Sequence, residues 1–308
     1  MRRPVKSQAH PLVVWRFSDG KAGHDNQSRG LVNALGRLRP VETSLLEPLP
    51  TAIALSALLR GQHAIWRDLS NPDLILGAGH RTHLSLLAAR WMSGGKVVVL
   101  MRPTLPLFLF DLCLIPAHDA PPAHPNVQIT RGALNRIQPS TRLDSTQGLL
   151  LIGGPSAHFS WDNAGLYQQI AAVIAADPAM HWTLTTSRRT PPDFLEHLDG
   201  GERCAVIPVT ETGPDWLPAQ LAKAGQVWVT ADSVSMVYEA LTSGATVGVL
   251  EVPRKHPSRI NRGLEQLATE GWVTFFSDWS HHRRLRRPTE SFNEAERCAR
   301  WIIDRWFT

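Results

Sequence analysis

Residues 17–31 read FSDGKAGHDNQSRGL, a polar loop broken by glycines and set between a short apolar run and an amphipathic one. Two of its side chains, Asp19 and His24, are of the types that move protons, and an imidazole takes up a proton near neutral pH. Gly20 and Gly23 permit tight turns and the close approach of a ligand to the backbone, with Lys21, Asn26 and Gln27 as polar neighbours. The stretch therefore reads as a ligand loop with His24 at its edge. The competing reading is a structural turn whose histidine hydrogen-bonds the loop.

A second set of candidates lies in the other half of the chain. In LLLIGGPSAHFSWD, Gly153 and Gly154 directly follow an apolar run, where their N–H groups could face a phosphate and Ser156 could add a hydroxyl. A plain strand-to-helix turn is the alternative. In VTADSVSMVYEALTSG, Asp232, Ser233 and Ser235 precede or open a helix. Ser233 is suited to cap it, leaving the positive helix end for a diphosphate. Glu239, further along that helix, could accept hydrogen bonds from ribose hydroxyls, or simply be a solvated charge. TTSRRTPP contributes Ser187, Arg188 and Arg189, and VPRKHPSRINR contributes Arg254 and Lys255. A guanidinium fork pairs two phosphate oxygens, and Arg188 and Arg254 are taken as the phosphate contacts. The run SHHRRLRRP, with Arg283 to Arg287, reads as a solvated loop, with anionic lipid as the sharper alternative.

These loops need strands and helices to hold them. The apolar runs LVVWRF, DLILGA, KVVVLM and DLCLIP alternate with the helical patterns NQSRGLVNALGRL, TAIALSALLRG and THLSLLAARWMSG. A second series follows: GLLLIGG, HWTLTTS, RCAVIPV, QVWVTA and TVGVLEV, with NAGLYQQIAAVIAAD, PPDFLEHLDG, DWLPAQLAKAG, SVSMVYEALTSG and RINRGLEQLATEG as helices. That alternation predicts parallel α/β sheets. The length of 308 residues suits two domains, and the proline- and serine-rich segment before Arg142 is the join. The expected division is 1–141, 142–290 and a terminal helix in 291–308 that packs back on the first domain. Two doubly wound halves would turn the carboxyl ends of their strands to one interdomain cleft, where such sheets bind ligands.

Composition narrows the function. A net charge of +5 suits an anionic partner, while basic residues dispersed among acidic ones argue against nucleic acid. Three distant cysteines, Cys113, Cys204 and Cys298, signal neither zinc nor disulfides, and no acidic metal motif appears, so no metal is expected. The amino-terminal apolar run is too short for a signal peptide, and Arg102, Pro103, Pro106 and Asp111 interrupt the longest apolar segment, which is no clean membrane span. A cytoplasmic location is expected.

Taken in order, SDGKAGHDNQSRGL, MRPTLP, NVQITRGALNRI, LLIGGPSAHFSWD, TTSRRTP and VTADSVSMVYEAL resemble the mitochondrial-fission Elm family and its bacterial relatives, described as glycosyltransferases. The resemblance runs over nearly the whole chain. It implies a GT-B fold of two Rossmann-like domains, with a nucleoside-diphosphate-sugar donor on the carboxy-terminal domain and the acceptor mainly on the amino-terminal one. GKAGH is also similar to the glycine-histidine loop of the peptidoglycan N-acetylglucosaminyltransferase that acts on a lipid-linked acceptor, which implies His24 near the reacting hydroxyl and Glu239 at the ribose. Asp19 and Lys21 depart from that loop, so the acceptor does not carry over. The implied activity is transfer of a sugar to an acceptor, a cell-envelope glycolipid or polysaccharide among the candidates, without a bound cofactor. His24 or Asp19 would activate the hydroxyl, and peripheral contact with the cytoplasmic face of an anionic inner membrane is the implied setting. A nucleotide-sugar epimerase and a non-catalytic membrane-associated protein are the alternatives.

Overall fold

The computed structural model describes residues 10–60, 64–198, 201–257 and 259–307. The basic start at 1–9, the ends of two expected helices at 61 and at 199–200, and residue 258 lie outside the described residues. The chain forms two units, 1–136 with 294–308, and 137–293.

Unit 1 begins with β1 (Leu12–Phe17), α1 (Ala22–Leu38), β2 (Val41–Leu46), α2 (Thr51–Arg60), β3 (Leu74–Ala78) and α3 (His83–Ser93). It continues with β4 (Lys96–Leu100), β5 (Leu112–Pro116) and β6 (Val127–Thr130). Its strands pair in parallel in the order β2-β1-β3-β4-β5-β6. All six β1 residues are buried, because a parallel sheet is covered on both faces. The period of two then sorts them: Leu12 and Val14 join the core under α1, while Val13, Trp15 and Phe17 join the core with Trp66, Leu86 and Phe110 on the other face.

Unit 2 comprises β7 (Asp144–Leu151), α4 (Asn163–Ala176), β8 (His181–Thr185), β9 (Cys204–Ile207), α5 (Trp216–Leu221) and β10 (Ala224–Thr230). There follow α6 (Val234–Ser243), β11 (Thr246–Leu250), α7 (Arg259–Thr269), β12 (Val273–Phe275) and α8 (Phe276–His282). The sheet order is β12-β11-β10-β7-β8-β9, again parallel. Two glycines face tryptophans across this sheet. Gly148 is the register partner of Trp182 and Gly248 that of Trp228, and a Cβ on either glycine would lie 2.3 Å from the indole. The last helix, α9 (Glu294–Trp306), returns to unit 1 and packs on α1. Its buried Glu294 accepts the Arg131 N–H at 2.9 Å and pairs with Arg297.

Several elements differ from the sequence-based expectation. α1 starts four residues earlier than NQSRGLVNALGRL, so His24 sits in its first turn rather than on the loop before it. β2 and β6 are edge strands, which lack the apolar run that marked the others. Of PPDFLEHLDG, the described part makes one 3-10 turn, Pro192–Phe194, whose Phe194 packs on Trp161 and Tyr167 and whose Asp193 accepts from the Asn163 amide at 2.9 Å.

Candidate functional site

In each sheet the first strand is flanked by strands that wind away in opposite directions. This switch lies between β1 and β3 in unit 1 and between β7 and β10 in unit 2. Loops leaving the carboxyl ends of such a pair diverge and open a crevice. The unit 1 candidates fall on the loop after β1 and the start of α1; in unit 2, Gly153, Gly154, Ser156, Asp232 and Ser233 fall on the loops after β7 and β10, Ser235 and Glu239 on α6, Ser187 and Arg188 after β8, and Arg254 after β11.

In unit 1 the loop after β1 carries Asp19, and α1 carries His24 in its first turn. His24 Nδ1 lies 3.0 Å from each oxygen of the Asp19 carboxylate. The Asp19 side chain has no exposed area and that of His24 is 19% exposed. An ionised carboxylate only accepts, so Nδ1 carries the hydrogen of this contact. Burial pushes the Asp19 carboxyl up, but the Lys21 N–H, the His24 hydrogen bond and the charges of His24 and Lys21 outweigh it and hold the group below its ordinary value. The loop after β3 closes on this pair at Gly79: its φ is +85°, and a Cβ there would stand 2.4 Å from His24 Cε1.

Arg16, buried near the end of β1, pairs with Asp25, the residue after His24, and donates to Ser28 Oγ at 3.0 Å, which ties the first turns of α1 to the strand. Gly20, Lys21 and Gly23 are exposed. A cavity of about 350 Å³ adjoins the loop, lined by Ser18, Asp19, Gly20, Glu47 and Arg81 among others. Asn26 and Gln27 do not line it. Asn26 Oδ1 accepts the Arg136 N–H at 3.3 Å and the Gln27 amide reaches Met101 Sδ at 3.5 Å, so both brace neighbouring loops.

In unit 2 the structure brings together Gly153, Gly154, Asp232 and Arg189. The Gly153 N–H donates to Thr230 Oγ1 at 2.7 Å and the Gly154 N–H to Asp232 Oδ2 at 3.0 Å. The two N–H groups expected to face a phosphate are therefore engaged within the protein. A Cβ on Gly153 would come within 2.2 Å of Asp232 Oδ2, so only glycine admits this carboxylate. Arg189, rather than Arg188, completes the cluster, donating to Asp232 Oδ2 and to the Gly154 carbonyl, each at 2.7 Å. The Asp232 side chain has no exposed area and its Oδ1 has no partner. Thr190 Oγ1 donates to the Gly153 carbonyl and accepts the Ser187 N–H at 2.8 Å.

α6 starts at this cluster. Ser233 occupies the cap position but makes no side-chain cap bond, so the first turn keeps its dipole and donors for another acceptor. Ser235 is exposed in that turn and Glu239, four residues on, shares its face and is half-buried. Of three more candidates, one stays exposed and two act structurally. Arg188 is exposed on the loop. Ser156 accepts the N–H groups of His158 and Phe159, shaping its own turn. Arg254 pairs with Glu265 on α7, so its guanidinium is neutralised locally. In the basic run, Arg283 stacks on Trp279 at 4.7 Å and Arg286 donates to the Ala268 carbonyl at 3.0 Å, which ties both to the unit itself.

Reading the residues alone missed Thr230, Thr190 and Gly79, and passed over Arg189 for Arg188. A glycine directly after an apolar run was the available signal for Gly79; nothing local distinguishes the two arginines. Among the described residues no group of three or more His, Cys, Asp or Glu side chains is placed to hold a metal, and no helix is long and apolar enough to cross a membrane.

Comparison with known proteins adds to this geometry. The model of a family described as mitochondrial fission ELM1 matches residues 22–306. An uncharacterized protein of Rickettsia prowazekii (strain Madrid E) is 23% identical over 323 residues, covering 87% of this chain and 91% of its own. Among solved structures, a Listeria monocytogenes protein provisionally assigned as a UDP-N-acetylglucosamine 2-epimerase superposes with a TM-score of 0.60 at 14% identity, covering 97% of each chain. The glycosyltransferase of kitacinnamycin superposes with a TM-score of 0.51 at 15% identity, covering 96% of this chain and 99% of its own. At these identities the likeness shows the fold, which is the two-unit α/β architecture of GT-B glycosyltransferases and the related epimerases.

Proposed function

Because the chain belongs to the mitochondrial fission ELM1 family, we propose that it is a glycosyltransferase that moves a sugar from a nucleoside-diphosphate donor to an acceptor hydroxyl. The observation that carries the reading is the His24–Asp19 pair at the unit 1 switch point. Asp19 fixes the tautomer, so Nε2 can take the proton of the acceptor hydroxyl as its oxygen attacks the anomeric carbon and the bond to the diphosphate breaks. The diphosphate leaves with the electron pair of that bond.

The donor belongs to unit 2 on this reading. The first turn of α6, without a side-chain cap from Ser233, and the exposed Arg188 receive the diphosphate charge. Glu239 accepts from the ribose hydroxyls. Asp232 takes a different part from the one its sequence position suggested: it orders Arg189 and the Gly154 backbone rather than meeting a phosphate. No step here calls on a metal. The relatives of this fold that act on UDP-sugars by name support a nucleotide-sugar partner.

The test is a calorimetric screen of UDP, GDP, ADP, TDP and CMP and their sugar conjugates, followed by turnover with candidate acceptors. Glu239→Ala should lose binding of the one nucleotide that saturates, while His24→Ala should keep binding and lose turnover. Unchanged turnover in His24→Ala would overturn the assignment. A sugar isomer formed without any acceptor would select the epimerase instead.

A further inference from the structure

The cavity beside the Asp19 loop has walls that the chemistry at His24 does not use. One wall is the loop after β1, Ser18 to Gly20; the second is the end of β2 with the residues after it, Leu45 to Pro48; the third is Arg81, in the 3-10 turn His80–Thr82. Each wall is anchored. The Ser18 N–H donates to the Leu46 carbonyl at 3.0 Å, which joins the first wall to the second. Ser85 Oγ, buried on α3, accepts the Leu49 N–H at 2.8 Å, and the buried Thr82 hydroxyl donates to the Gly79 carbonyl at 2.8 Å. The second and third walls are thereby fixed at the start of α3. Gly79, two residues before Arg81, is the residue that closes on His24, so the turn carrying Arg81 leaves directly from the dyad.

Two opposite charges meet this cavity without meeting each other. Among the described residues neither Arg81 nor Glu47 makes an ion pair or a side-chain hydrogen bond. The charges that lower the Asp19 carboxyl are those of His24 and Lys21, so Arg81 is not committed to Asp19 either. By contrast Arg16 is matched by Asp25, Arg37 by Glu296, and Arg90 and Lys96 by Asp111. Leu45, 61% exposed, and Pro48 give the same space an apolar side. Its volume of about 350 Å³ lies at the lower end of the range for small-molecule sites and suits a single sugar ring. A sugar has an apolar C–H face for Leu45 and Pro48, and hydroxyls that donate to Glu47. Neither contact calls for a permanent cation, whereas a guanidinium fork pairs both oxygens of a carboxylate or phosphate. We propose that Arg81 makes this cavity a site for an acidic sugar, one that carries a carboxylate or phosphate group. On the transferase reading, on which the sugar's role rests, this sugar is the acceptor and Arg81 the residue that selects it.

The site is tested without donor, so the outcome does not depend on transfer. The backbone amide NMR signals of Gly20 and Arg81 in the full, isotope-labelled chain are followed during titration with glucose, glucuronate, glucose-6-phosphate and inorganic phosphate. At least one acidic sugar should bind about tenfold more tightly than glucose, and the tighter of the two tells carboxylate from phosphate. Arg81→Gln should bring the acidic sugars down to the level of glucose, and Arg81→Lys, which keeps the charge without the fork, should recover part of the difference. Arg67→Gln, at an exposed arginine outside the cavity, should change nothing. Arg81 is exposed, so its variants should melt with the wild type. The proposal is overturned if glucose and the acidic sugars bind alike, if no probe moves these signals, if inorganic phosphate alone binds as tightly as the acidic sugars, or if Arg81→Gln keeps the preference. Acidic-sugar binding through Arg81 in a protein that transfers to no acceptor would refute the transferase reading and leave this site standing.

Discussion

His83 opens α3 in the core of unit 1, and its titration should set much of the acid response of the protein. It is 2% exposed, its Nδ1 lies 3.2 Å from Thr104 Oγ1, and its ring meets Phe110 edge-on at 5.6 Å. Burial, with the neighbouring charge of His80, lowers its pKa from 6.5 to about 4. The fold thus holds the imidazole neutral, whereas the unfolded chain takes up a proton as soon as the pH drops below the ordinary histidine value. Stability tied to this group is complete above that value and is lost as the pH falls through the native one. The gap is worth about 3 kcal/mol in full, of which about 2 kcal/mol is gone by pH 5. Urea titrations of the wild type and His83→Asn at pH 7, 6 and 5, read through the unit 1 transition, should show the variant weaker at pH 7 and losing about 2 kcal/mol less on acidification. An NMR titration of the ring supplies the direct reading. Equal pH slopes in the two proteins, or a His83 midpoint near 6.5, would refute the reasoning.

Other outcomes follow from the same geometry. Gly79→Ala puts a Cβ 2.4 Å from His24 in a backbone with φ +85°, so it should cost about 1–3 kcal/mol of stability and displace the ring, with turnover lost even under conditions where the protein stays folded. Ser233→Ala should change the melting temperature little, since the hydroxyl makes no cap bond; a loss as large as the usual ~1 kcal/mol for a capping serine would contradict the structure. Burial pushes the thiols of Cys113 and Cys298 up to about 12 and that of Cys204 up to about 11. Native protein at pH 8 should therefore leave a thiol-reactive dye almost unchanged, and urea should release three thiols.

The sequence determined the architecture because its signals are local. Apolar runs such as LVVWRF and QVWVTA, too short for helices and bounded by turn residues, read as strands buried on both faces, and the helical runs between them call for parallel pairing. It also put the chemistry-bearing residues on the loops at the carboxyl ends of those strands: Asp19 and His24 around the first, Gly153 and Gly154 after β7, Asp232 after β10. Edge strands such as β2 escaped that reading because a half-exposed strand carries no apolar run.

Only the tertiary structure decided what each loop residue meets, since those meetings join positions tens of residues apart. Gly79 reaches His24 across 55 positions because β3 lies beside β1, and Thr230 and Asp232 reach Gly153 and Gly154 because β10 lies beside β7. The same pairing engaged two N–H groups that local pattern had offered to a phosphate, and chose Arg189 over its neighbour Arg188. Arg188 and Arg189 are the two central residues of the turn closed by the Thr190 N–H to the Ser187 carbonyl at 3.1 Å, and the fold around that turn brings Arg189 to Asp232 and leaves Arg188 exposed.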